Sequence, residues 1–88
     1  MKHDQKLSAR AVGDLDALDN KTRKRTLDRI AELADSPYDP KFSIKLTNQG
    51  GLRRSRVGGW RIIFLVNDEA KELSVVMIER GGQVYQRV

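Results

Sequence analysis

The chain has 88 residues, enough for one small domain over residues 1–88 and too few for a large internal cavity. It contains no cysteine, which excludes a disulfide framework and a thiolate metal site and suits a reducing compartment. Seventeen Lys and Arg against twelve Asp and Glu leave a net charge of +5, so the expected partners are polyanions, either nucleic acid or an acidic protein segment. No secretory leader is read at the start, and no apolar run approaches the ~20 residues that span a bilayer. A soluble cytoplasmic protein is therefore expected.

In chain order, residues 1–7, MKHDQKL, offer only Met1 and Leu7 as apolar residues, the pattern of a poor edge strand at best. From Ser8 to Leu18 the apolar residues Ala11, Val12, Leu15 and Leu18 fall three and four apart, with Ser8 placed to cap, which predicts a short amphipathic helix. Asp19 or Asn20 starts a second helix. Its stripe of Leu27, Ile30, Ala31 and Ala34, with Leu33 beside it, predicts one buried face and leaves Arg23, Lys24, Asp28, Arg29 and Glu32 largely solvated. SPYDP at 36–40 stops this helix, because proline cannot continue it. The period then shortens to that of strands: KFSIKL (41–46), LRRSRV (52–57), WRIIFLV (60–66) and ELSVVMI (72–78), separated by TNQGG, GG and NDEA.

Strand parity organises the arginines. If Gly58-Gly59 is a two-residue hairpin turn, Val57 pairs with Trp60 and Arg56 with Arg61, and Arg54 shares their face. Trp60, Ile62, Phe64 and Val66 lie on the opposite face, where the helices should pack. A two- or four-residue turn within NDEA puts Arg80 on the arginine face as well, together with Ile63, Leu65, Val76 and Ile78. A five-residue turn would flip it. Like charges directly opposite one another in a sheet cost up to about 1 kcal/mol, so Arg56 facing Arg61 asks for an anion. A solvated outer face explains most basic runs, but this one is part apolar, which points instead to a binding surface. Guanidinium groups present paired donors that match phosphate oxygens.

The segments LSARAVGDLDAL, ELADSP and RRSRVGGWRIIFLVNDEAKELSVVMIERGGQVY together resemble the RelE/ParE toxin superfamily over nearly the whole chain. The most specific part is the R-x-R-V-G-x-[YW]-R-I-I-[YF]-x-V core, with a downstream Arg and a late V-Y. The resemblance implies an α+β fold, two N-terminal helices packed on a curved, mostly antiparallel sheet in the order β-α-α-β-β-β. It implies the toxin of a type II toxin-antitoxin system. RelE-type members cut mRNA in the ribosomal A site, whereas ParE-type members poison DNA gyrase and generally lack the RNase residues. The positions of the RNase branch look like Arg54, Arg56, Arg61, Arg80 and Tyr85, all filled by suitable types, which favours a metal-independent endoribonuclease that needs no cofactor. The partners implied are the ribosome and mRNA, a cognate antitoxin that is acidic and partly disordered, and operator DNA only through the antitoxin complex. The chain departs from the family pattern in its polar first strand, in Arg53 where an aromatic residue is common, and in Gly81-Gly82.

Cleaving RNA through its own 2′-OH needs a base for the hydroxyl proton, charge stabilisation at a pentacoordinate phosphate and a proton for the departing 5′-oxygen. Arginine meets the second need and, with a pKa above ~12, meets proton transfer poorly. Tyr85 is the better base candidate, since neighbouring cations favour the phenolate. Arg56 and Arg61 are expected on the scissile phosphate, Arg80 near the leaving group and Arg54 along the backbone. Other constellations give little. His3 is the sole histidine and sits in a start expected to be poorly ordered. Asp28, Glu32 and Asp35 alternate with cations as solvated partners of those charges. No Walker-type glycine loop occurs.

Overall fold

The computed structural model describes residues 2–81, and its elements run β1 (Asp4–Leu7), α1 (Ala9–Asp16), α2 (Asn20–Asp35), β2 (Ile44–Lys45), β3 (Arg53–Val57), β4 (Trp60–Asn67) and β5 (Glu72–Arg80). Five strands form one sheet in the order β1-β5-β4-β3-β2, with β1 parallel to β5 and every other pairing antiparallel. The fold is α+β, with both helices on one face of the sheet. Successive hairpins explain the antiparallel part, while β1 reaches the far edge because the two helices carry the chain back across the sheet.

Each helix starts where a side chain takes an orphan N–H. Ser8 Oγ accepts from Ala11 N at 2.9 Å and Asp19 Oδ1 accepts from Thr22 N at 3.3 Å. The second helix ends at Asp35, one residue before SPYDP. Where β1 stops at Leu7, the edge of β5 loses its strand partner and α1 replaces it. Ser8 N–H donates to Val75 O at 3.0 Å, Ser8 Oγ donates to Val76 O, and Ile78 N–H donates to Asp14 Oδ2 at 2.9 Å.

The core lies between helices and sheet. Ala11, Leu15 and Leu18 from the first helical segment meet Ile30 and Leu33 of α2, and together they cover Val57, Ile62, Phe64, Leu73, Val75 and Ile78. Burying side chains of this size contributes about 1.5–3 kcal/mol each. Phe42, Trp60 and Val66 pack against the margin of this cluster.

Four expectations are corrected by this packing. Val12 and Leu27 point to solvent at 45% and 42% exposure, and Thr26 takes the buried position on α2 that the apolar stripe assigned to Leu27. Arg23 and Arg29 are half-buried and bonded instead of solvated. The strand read over 41–46 shortens to Ile44–Lys45, because Phe42 N–H and Ser43 N–H turn back to Asp39 O. The fourth is a β-bulge. Between Ile63 and Phe64 the register on β5 jumps from Met77 to Val75, leaving Val76 as the extra residue.

Candidate polyanion-binding face and its neighbourhood

The Gly58-Gly59 turn has the predicted geometry, with φ of 59° at Gly58 and Val57 opposite Trp60. Arg56 therefore faces Arg61, and Arg54 faces Ile63 two rungs further on, on the same side of the sheet. All three arginines project from the sheet face that carries no helix. Arg54 and Arg56 enter no ion pair among the described residues. Arg29 reaches through from α2 to fasten this strand. Its Nη1 donates to Ser55 Oγ at 3.1 Å and to Arg56 O at 2.7 Å, and its guanidinium stacks 4.4 Å from the Phe42 ring centroid.

The anion that the Arg56/Arg61 pairing asks for is supplied from within the chain. Glu79 lies opposite Arg61 on β5, and its carboxylate accepts a charge-assisted hydrogen bond from Arg61 Nη2. Sequence parity missed this partner because it counted β5 without a bulge. The turn has four residues but falls at Asp68–Lys71, one position later than NDEA, which keeps the expected parity, yet the extra residue Val76 flips everything after it. Ile78 thus faces Ile62 in the core and is 2% exposed, not on the arginine face. Arg80 faces Trp60 on the helix side, where its guanidinium stacks 5.2 Å from the indole centroid. It stands at the same end of the sheet as Arg56 and Arg61, on the opposite face. Tyr85 lies outside the described residues.

Between the arginines and the β2–β3 hairpin the helix-free face is hollowed to about 230 Å³, lined by Leu46, Gln49, Leu52, Arg61, Ile63, Met77 and Glu79. Ile63 is only 3% exposed although no helix covers it, because the hairpin walls it in. The arrangement is suited chemically to hold phosphate oxygens on Arg54 and Arg56 beside an apolar recess with one fixed carboxylate.

The histidine expected in a loose start is buried in a second cluster. His3 Nε2 donates to Asp68 Oδ1 at 2.9 Å, and the Tyr38 hydroxyl donates to Asp68 Oδ2 at 2.7 Å. These bonds, His3's first and Tyr38's second, hold the Asp68 carboxyl below its ordinary value, while the bond to Asp68 raises the Tyr38 phenol. Arg53 lies over the Tyr38 ring at 5.0 Å and donates to Ser43 Oγ at 2.6 Å, so this departure from the family pattern serves as a strut. Among the described residues no cluster of three or more His, Cys, Asp or Glu is arranged to hold a metal ion, and no helix is long and apolar enough to cross a membrane.

Two helices on one face of a five-stranded, mostly antiparallel sheet define the architecture of the RelE toxins. The chain superposes on the RelE–RelB complex of Pyrococcus horikoshii with a TM-score of 0.81 and 29% identity, covering 94% of this chain and 99% of that one. The RelBE toxin–antitoxin complex of Escherichia coli matches at 0.80 and 18% identity, covering 92% and 99%. The isolated E. coli RelE toxin matches at 0.79 and 19%, covering 97% and 93%. No curated protein matches. The family model for the ParE toxin of type II toxin-antitoxin systems matches residues 6–85, and the chain belongs to that family, within the RelE/ParE superfamily.

Proposed function

We propose that this type II toxin is a ribosome-dependent endoribonuclease that cuts mRNA in the A site and so stops translation in the cytoplasm. The observation that carries this reading is the helix-free face with Arg56 and Arg61 paired across one rung and Arg54 two residues along the same strand face, two of the three without a carboxylate partner among the described residues. The 2′-oxygen attacks phosphorus, the 5′-oxygen leaves and takes a proton from solvent, and the products are a 2′,3′-cyclic phosphate and a 5′-hydroxyl. Arg56 and Arg61 stabilise the extra charge on the phosphoryl oxygens, and Arg54 positions the neighbouring backbone. Arg80, at the same end of the sheet though on its other face, is assigned to the leaving group. Tyr85 takes the 2′-OH proton. So weak a set of proton carriers suits an enzyme that relies on the ribosome to orient its substrate. An acidic, partly disordered antitoxin would cover the same cationic face, and operator DNA would be met only through that complex.

The pairing of Arg61 with Glu79 favours a second reading, a ParE-like gyrase inhibitor whose cationic face binds without cutting. Primer extension on a defined mRNA in a purified translation system, with wild type beside Arg61→Ala, separates the two. Stops within the A-site codon that require ribosomes and vanish in the variant support the endonuclease. An intact transcript sinks it, and loss of gyrase supercoiling activity would then support the inhibitor.

A further inference from the structure

The hollow beside the arginines has the make-up of a site for a flat heterocycle. Its floor is Ile63 and Met77, neighbours across β4 and β5, and its wall is Leu46 and Leu52 from the β2–β3 hairpin. The polar residues of the lining are Gln49, Arg61 and Glu79. At about 230 Å³ it is smaller than the pockets of roughly 300–1,000 Å³ that enclose drug-sized ligands, which restricts it to one small ring system. Glu79 is 32% exposed at its side chain and is held through Oε2 by Arg61, so its carboxylate stands in the lining as a fixed hydrogen-bond acceptor. Arg54 and Arg56 sit opposite Ile63 and Arg61, so a phosphate bound on either arginine lies one strand over from the recess. Apolar faces, one acceptor and adjacent phosphate sites match an unstacked nucleotide of single-stranded RNA, whose ring packs against apolar side chains while its edge is read by hydrogen bonds.

Resting on the reading of the arginine face as an RNA-binding surface, we propose that this hollow receives one nucleobase of the strand and that Glu79 selects a base with an exocyclic amino group. A carboxylate accepts from the N4 amino group of cytosine, whereas uracil presents a carbonyl oxygen at the same place. Loss of that bond leaves two acceptors facing each other, which repels the wrong base as well as failing to hold it.

The test is equilibrium binding, by fluorescence anisotropy at fixed low salt, of the full chain to oligocytidylate and oligouridylate hexamers. These strands share backbone, length and ring size and differ at that one edge. Wild type is expected to bind the cytidylate strand about tenfold more tightly. In Glu79→Gln, whose amide donates as well as accepts, the preference should shrink to about twofold or less. Leu52→Trp fills the hollow and leaves the Arg61–Glu79 pair in place, and it should bind both strands alike. Equal affinity of wild type for the two strands overturns the proposal, and so does a preference that survives both substitutions. Selective binding by a protein that cuts no mRNA would sink the endonuclease and leave the base site standing, whereas cutting without selectivity would do the reverse.

Discussion

A methyl group at position 81 would lie 2.5 Å from Arg61 Cγ and 3.0 Å from Arg61 Cδ, so the path of that arginine requires a glycine there. The clash falls on the middle of the side chain, which cannot move without shifting the guanidinium that bonds Glu79. Gly81→Ala is expected to lower stability by about 1–3 kcal/mol, as overpacking does in well-filled sites. An unchanged urea midpoint would show that Arg61 steps aside without cost. Asp68 makes a different residue-scale prediction. Its pKa is lowered in the fold by His3 and Tyr38, so the stability it contributes is fully present above 3.8, where an unconstrained aspartate ionises, and is lost as pH falls through the lower folded value. Melting temperature followed from neutral pH into that acid range should therefore fall more steeply in wild type than in Asp68→Asn, which has nothing left to protonate. Parallel curves would sink this assignment. The sequence offered little sign of the cluster, since His3, Tyr38 and Asp68 come from three segments that only the finished fold brings together.

At the scale of elements, α1 is too short to persist alone, and much of its C-terminal end is held by one residue of the next helix. Arg23 donates from Nε to Leu15 O at 2.9 Å, which also accepts from Leu18 N–H, and from Nη2 to Asp16 O at 3.1 Å and Leu18 O at 2.6 Å, gathering three carbonyls of the helix end. Arg23→Ala is expected to cost about 1.5–3 kcal/mol in urea unfolding. Arg23→Lys should recover little, because one ammonium cannot reproduce a planar fork aimed at three acceptors. A lysine variant as stable as wild type would show that charge near the helix end, not the fork, is what matters. Elements also mark where the sequence was legible. Both helix starts, the proline stop and the Gly58-Gly59 register depend on local chemistry, and each was read from a few adjacent residues. The bulge at Val76 was not. In VVMI every residue suits either face of a half-buried strand, so nothing local marks the slip, and one extra residue moved Arg80 to Trp60 and brought Glu79 to Arg61. Leu27 shows the same limit in a helix, where the stripe was right in direction but about one position too wide.

Across the whole molecule only some of the cations are paired with carboxylates, and on α2 Lys21 and Arg25 enter no ion pair among the described residues. On the helical side and the β1 edge, cations meet carboxylates in Arg10–Asp14, Lys24–Asp28, Arg29–Glu32 and Lys6–Glu72. On the helix-free face Arg54 and Arg56 meet none among the described residues, while Arg61 is bonded to Glu79. A net charge of +5 would draw RNA to the protein wherever it sat, so affinity alone cannot place the strand. The salt dependence can. Each phosphate neutralised by a side chain releases counterions, and for single strands the slope of log K against log salt steepens by about 0.7 per contact. If the strand lies over β3 and β4, the double variant Arg54→Ala/Arg56→Ala should flatten the slope by about 1.4, twice that amount. Arg61→Ala should change it less, because Arg61 is already bonded to Glu79 and the pair carries little net charge toward the phosphates. Arg10→Ala, on the helical layer and already paired, should leave the slope as it was. Titrations of a short oligoribonucleotide at several salt concentrations read all four proteins on one scale. A double variant with the wild-type slope would move the RNA off this face, and with it both the catalytic roles given to the arginines and the base site beside them.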